Sequence, residues 1–200
     1  MQRQNLIPNT DIHGATVALD FPGLRIGIAE YEEGPTGCTV LAFDEPAELL
    51  IDVRGGAPYA VGDFGFTDAI CLTGGSVYGI EAVSGVNQAI LEARNGSVKW
   101  DALASVAGGV IYDFGGRDNH IHPDAELGYA AWQSAQSGAF PIGAQGAGRS
   151  ASAGKGFHFD RAEQAGQGAA FRQIGDTRIA VFVVANPVGA IHDRTGKVVC

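Results

Sequence analysis

Arg178-Ile-Ala-Val-Phe-Val-Val-Ala185 is the most strand-like run in this chain, dominated by β-branched and aromatic side chains. Ile179, Val181, Phe182, Val183 and Val184 are apolar on both sides of such a strand, because successive side chains point to opposite faces. A strand of this kind lies inside a layered structure and is covered twice. The expectation is therefore an α/β fold in which a sheet is packed between other layers.

Working outward, Arg25 to Glu30, Thr39 to Phe43, Leu49 to Val53, Ala69 to Thr73 and Val106 to Phe114 read as further short strands, several bounded by Gly/Pro turns. Gly74-Gly75-Ser76 leads into a helix from about Val77 to Arg94. Its Ile80, Val83, Val86 and Ile90 recur at helical spacing, and Gly96 closes it. Pro123 to Gln136 reads as a second helix, with Leu127, Ala130 and Ala131 on one side. No repeat, linker or domain boundary interrupts residues 1–200, so a single domain is expected. Nothing at the C-terminal strand-and-turn signal closes that domain off.

Composition narrows the function classes. Hydrophobic residues at 46% and charged ones at 18% describe a globular protein, and thirty glycines imply many tight turns or close approaches. The net charge of −9 includes no basic run, which argues against nucleic acid and anionic membrane surfaces as partners. Cys38, Cys71 and Cys200 are an odd count, two of them within apolar runs, and read as buried thiols in a reducing compartment. No secretory core or membrane-length apolar stretch is present in the sequence, so a cytoplasmic protein is expected.

Two segments carry candidate chemistry. Gly148-Arg-Ser-Ala-Ser-Ala-Gly-Lys155-Gly156 delivers a lone lysine from a run of small residues, and Val183-Val-Ala-Asn186-Pro-Val-Gly189 delivers an asparagine from a buried-looking strand. A cation and an amide donor on rigid supports suit the stabilisation of negative charge on a reacting carbonyl, as in amide hydrolysis. Tyr112 is a third candidate, though it also suits a core position. Other motifs fit less well. Gly148 to Lys155 has the wrong count for a phosphate-binding loop. Ser152-Ala-Gly-Lys155 matches the Ser-x-x-Lys of serine acylases without their accompanying elements. Gly74-Gly75-Ser76 lacks the last glycine of a nucleophile elbow and suits a serine N-cap. Asp118, His120, His122 and Asp124 alternate as metal ligands would, yet no further ligand supports them. No cofactor and no metal are called for.

Read as a series, Phe21-Pro-Gly-Leu-Arg-Ile-Gly27, Glu33-Gly-Pro-Thr-Gly-Cys-Thr-Val40, Asp52-Val-Arg-Gly-Gly-Ala57, Cys71-Leu-Thr-Gly-Gly-Ser-Val-Tyr-Gly-Ile-Glu-Ala82, Val110-Ile-Tyr-Asp-Phe114, Gly146-Ala-Gly148, Ser150-Ala-Ser-Ala-Gly-Lys155 and Asn186-Pro-Val-Gly189 occur in order. This series resembles the self-processing aminopeptidase/D-esterase family of N-terminal-nucleophile-type hydrolases. Tyr31-Glu-Glu-Gly-Pro-Thr-Gly37 and Gly166-Gln-Gly-Ala-Ala-Phe-Arg172, together with the lysine segment, are most similar to its nylon-oligomer hydrolase branch. The resemblance spans Asp20 to Cys200.

It implies a layered αββα-type sandwich, two central sheets flanked by helices, completed by a second processed chain. It implies a precursor that cuts itself ahead of a Thr or Ser, which becomes the nucleophile at the new N-terminus. Lys155 would stand beside that nucleophile, Asn186 would form the oxyanion hole, and Tyr112 would be an active-site tyrosine. No usable Asn-Thr or Asn-Ser junction follows Val198-Val-Cys200, so the chain is expected to be the larger processed fragment. Its expected partners are the smaller fragment carrying the nucleophile, further copies in a homotetramer of heterodimers, and an oligoamide or peptide substrate. The rival readings are an aminopeptidase or β-aminopeptidase of the same family, a serine acylase using Ser152 and Lys155, and a binding module without chemistry.

Overall fold

The computed structural model describes residues 6–55, 59–62, 65–156 and 159–199. In chain order the first elements are β1 (Thr16–Leu19), β2 (Leu24–Tyr31), β3 (Thr36–Leu49), β4 (Ala60–Val61) and β5 (Gly65–Thr73). There follow α1 (Ser76–Gly79), α2 (Glu81–Ala93), β6 (Val106–Val110), α3 (Ala125–Gln133) and β7 (Gly138–Pro141). The last are β8 (Ser152–Ala153), β9 (Glu163–Gln164), β10 (Gln167–Ile174) and β11 (Thr177–Val184).

Side-chain alternation along β2, β3 and β5 builds the centre of the molecule. These strands join β6 and β4 in a five-stranded sheet of order β2-β3-β5-β6-β4, in which only the β5–β6 pair is parallel. One face presents Ala29, Tyr31, Cys38, Val40, Ala42, Ala69 and Cys71 to α2 and α3, which meet it with Val83, Val86, Ile90, Leu127 and Ala131. The other presents Leu24, Ile26 and Leu41 to a second layer holding Leu19, Phe140, Phe171 and Phe182. That second layer consists of two antiparallel pairs, β1–β7 and β10–β11, and a bridge between Gly143 and Gln167 ties β10 to the segment after β7.

Glycine lets the helical layer sit close. A Cβ on Gly85 would lie 1.8 Å from the Ala125 carbonyl oxygen, and one on Gly128 would lie 1.9 Å from that of Ala82. Asp124 caps α3 by accepting the Leu127 N–H at 3.1 Å, and its Oδ1 also accepts the Tyr31 hydroxyl at 2.7 Å. Burial and the Asp124 carboxylate together push the Tyr31 phenol far above its ordinary pKa.

Among the described residues both long helices cover one face of the five-stranded sheet. Several expectations about single elements are corrected. Phe182 and Ala180 of β11 pack inward, whereas Ile179, Val181 and Val183 stand about half exposed. The strand is apolar on both faces but covered on one. Asp44-Glu-Pro46 is a register irregularity inside β3 rather than a turn between two strands, and Leu50 to Val53 are not strand. Val106 to Phe114 is strand only to Val110. The second helix runs Ala125–Gln133 because Pro123 and Asp124 form its approach and cap. Gly96 closes the first helix at φ +70, donating its N–H to the Leu91 carbonyl. Cys38 and Cys71 are buried free thiols, and Cys200 lies outside the described residues. Among the described residues no helix is long and apolar enough to cross a membrane.

Candidate active site

Lys155 reaches the site from an extended segment. Ala151 and Ala153 are fully buried on either side of Ser152, and Gly154 takes φ +72, a conformation that side-chain-bearing residues rarely adopt. Backbone bonds then hold both flanks of the lysine. The Gly154 N–H donates to the Gly189 carbonyl at 3.0 Å, and the Gly156 N–H to that of Val188 at 2.7 Å. These bonds place Lys155 against the loop that follows β11. Asn186 opens that loop, one residue after Ala185, whose N–H donates to the Gly166 carbonyl at 2.9 Å.

The Lys155 and Asn186 side chains meet at the Tyr112 backbone. Lys155 Nζ donates to Asn186 Oδ1 at 2.7 Å and to the Tyr112 carbonyl at 3.0 Å. The Tyr112 backbone N–H donates to the same Asn186 Oδ1 at 3.1 Å. Two donors on one oxygen fix which end of the Asn186 amide faces inward, so its Nδ2, the donor end, faces outward. Asn186 is exposed and Lys155 is only 4% exposed. A buried ammonium therefore anchors the amide of an exposed residue, whose Nδ2 donates to no group among the described residues. The Tyr112 contribution to this constellation is its backbone N–H and C=O.

Burial lowers the Lys155 pKa below the ordinary lysine value of 10.5, and the nearby Asp113 carboxylate opposes that shift. Asp113 is the floor of the site. Its Oδ2 accepts the Thr36 hydroxyl at 2.6 Å, and its Oδ1 accepts the Gly75 N–H and Arg117 Nη2, each at 2.8 Å. Arg117 in turn donates to the carbonyls of Gly34 and Ile121 and to Asn119 Oδ1. This buried ion pair, with its other polar atoms satisfied, makes a rigid support under Tyr112. Neither Asp113 nor Arg117 stood out in the sequence. The clue was an aspartate inside an apolar run, four residues before an arginine.

The Asp113 network also explains Gly74-Gly75. A Cβ on Gly74 would lie 2.3 Å from Asp113 Oδ2, and Gly75, at φ +78, is the residue that caps α1. Ser76 is not the N-cap expected of it; it is the first residue of α1, at φ +53. Ser152 and Lys155 do not share a helix, because residues 152–153 pair in β8 and Gly154 turns the chain. The lysine therefore bonds Asn186 and Tyr112 instead of the serine. Asp124 serves as a helix cap and His122 Nδ1 bonds the His120 carbonyl, so the alternating Asp/His set does not converge. Elsewhere His13, Glu30 and Glu32 do cluster, but Arg149 sits among them, 3.2 Å from Glu30 and 2.7 Å from Glu32.

Residues 17–197 match the family model described as Peptidase family S58. A 6-aminohexanoate-oligomer endohydrolase of Kocuria sp. (strain KY2) is 48% identical over 98% of this chain and 55% of its own length. One from Paenarthrobacter ureafaciens is 52% identical over 90% of this chain and 50% of its own. Among solved structures, a Burkholderia sp. beta-aminopeptidase superposes with a TM-score of 0.65 at 22% identity, over 84% of this chain and 51% of that one. The L-aminopeptidase D-Ala-esterase/amidase of Ochrobactrum anthropi, described as a variant of the Ntn hydrolase fold, gives 0.58 at 16% identity, over 88% and 56%. The chain spans about half the length of the curated relatives it matches. With the family model covering nearly all of these residues, the chain belongs to peptidase family S58.

Proposed function

We propose that this chain is the larger part of a self-processing hydrolase that cleaves oligoamides of the nylon type. The observation that carries the proposal is the fixed Asn186 amide, held by Lys155 and Tyr112 through its oxygen and open at its Nδ2. Amide hydrolysis passes through a tetrahedral oxyanion, and a donor already aimed at that oxygen favours the transition state over the planar ground state. Among the described residues Lys155 uses two of its three N–H directions within the site, and the third would serve an attacking hydroxyl. The nucleophile in this proposal is an N-terminal Thr or Ser on a segment outside these 200 residues, its own amine acting as base. The half-length match to the relatives supports that division. So does the uncovered face of β11, which a second segment would bury. Assembly as a homotetramer of such pairs, in the cytoplasm, belongs to the same proposal.

The choice of oligoamide over peptide follows the names of the relatives that are about half identical to this chain. It is tested by offering the assembled enzyme 6-aminohexanoate oligomers with free and with blocked amino termini. Similar rates on both support an endo-acting oligoamide hydrolase. Cleavage of free amino termini alone replaces it with an aminopeptidase.

A further inference from the structure

We propose that Tyr78, backed by Phe114, is a specificity-determining residue that seats the methylene spacer of the substrate beside the scissile amide. The inference rests on the oligoamide reading above and adds to it a place for the spacer. Tyr78 lies on α1 and is 63% exposed. Its ring meets Phe114 edge-on at 6.5 Å and 76°, and Phe114 meets Tyr112 likewise at 6.0 Å and 69°. On the other side Tyr78 lies 5.6 Å from the His122 ring. The rings make a chain of contacts, in this proposal a ridge, that begins at Tyr112, the residue whose backbone holds Asn186.

The ridge is built rigidly, as a subsite must be. The Arg117 guanidinium covers Phe114 at 4.3 Å while pinned to Asp113. The same Asp113 carboxylate accepts the Gly75 N–H at the start of α1. The Ser76 N–H donates to the Ile111 carbonyl, one residue before Tyr112. Tyr78, Phe114 and the Asn186 amide therefore hang from one buried ion pair. The exposed Tyr78 and Tyr112 rings, in contact with the partly buried Phe114, are a poor surface for water and a good one for an apolar chain. A polymethylene spacer is flat, flexible and without polar atoms, and edge-to-face rings offer it contact without demanding hydrogen bonds. A short spacer would set its next amide, with its polar N–H and C=O, against those same rings, where hydration is lost without return.

The test uses the processed, assembled enzyme as wild type, Tyr78→Ala and Tyr78→Phe, on 6-aminohexanoate oligomers and on β-alanine oligomers. Tyr78→Ala is expected to raise KM for the six-carbon oligomer roughly tenfold with kcat changed by less than about twofold, the scale of one lost methylene contact. KM for the short-spacer oligomer stays near that of the wild type, and Tyr78→Phe restores the ring and with it the wild-type KM. Equal effects on both oligomers, or none on either, overturn the inference while leaving the oligoamide reading in place. Loss of the assembled enzyme in Tyr78→Ala also overturns it, because the ridge would then be an interface. Failure of the wild type on both oligomers removes the oligoamide reading and this inference with it.

Discussion

Asn186 is held by its oxygen, which leaves its nitrogen as the donor in the proposed oxyanion role. Replacing it with alanine removes an exposed side chain, so the fold should survive while turnover falls by roughly 10²–10³-fold, as for loss of one oxyanion donor. The control is Ser152→Ala, which should retain most activity, since Lys155 bonds Asn186 and Tyr112. The reverse pattern in folded, processed enzyme would return the serine-acylase reading. Lys155 supplies a pH signature. Burial lowers its pKa from 10.5, so the ammonium is lost earlier on the alkaline side than from an exposed lysine. If the ammonium orients the nucleophile, kcat/KM should show an alkaline limb below pH 10.5; a profile flat through that range would rule this role out. Stability carries the complementary sign. The unfolded chain binds more protons between the lowered folded pKa and 10.5, so the Lys155 contribution improves as pH rises through that window. Lys155→Ala should impair both self-cleavage and turnover. At this scale the sequence was informative where a polar residue interrupts a run of small or apolar ones, as at Lys155 and Asn186. Asp113 interrupts an apolar run in the same way, but its pairing with Arg117 across a loop leaves no periodicity that would mark the two as partners.

The elements are coupled through glycine. α2 and α3 meet at Gly85 and Gly128, where the obstacle to a larger residue is backbone of the neighbouring helix. Gly85→Ala gains about 1 kcal/mol of helix propensity. Against that gain, a Cβ 1.8 Å from the Ala125 carbonyl oxygen forces the helices apart. Such overpacking costs about 1–3 kcal/mol, so net destabilisation in urea titration is expected, and a more stable variant would show that the contact is slack. Because α2 follows directly on α1, loosening it should also disturb the Gly75 bond to Asp113. Helix periodicity read the second long helix to within three residues at each end, but read Val77 to Arg94 as one helix where Ile80 separates α1 from α2. It read less well where turn chemistry resembles a strand or a strand tolerates an irregularity. Pro46, which has no N–H to give, lies inside β3 at a register shift. Tyr112 leaves the β6 direction, and its N–H goes to Asn186.

At the scale of the molecule the layers are visible in the sequence but their cover is not. Apolar alternation identifies Ile179, Val181 and Val183 as side chains that gain from burial, roughly 1.5–3 kcal/mol each when complete. It does not say which segment buries them. In this chain they face outward, with Val188, Val198 and Val199 also exposed nearby in sequence. An unpartnered apolar face of this kind favours association. Purified alone, residues 1–200 should therefore bind hydrophobic dyes and self-associate. The decisive measurement is hydrolysis of a 6-aminohexanoate oligomer by this chain alone, by the chain assembled with its complementary segment, and by that assembly carrying Asn186→Ala. The expected result is no cleavage by the chain alone, cleavage by the assembly, and a loss of roughly 10²–10³-fold in the variant. Cleavage by the chain alone, or a wild-type rate in the folded Asn186→Ala assembly, would contradict the assignment of this chain as the holder of the oxyanion donor for a nucleophile borne elsewhere.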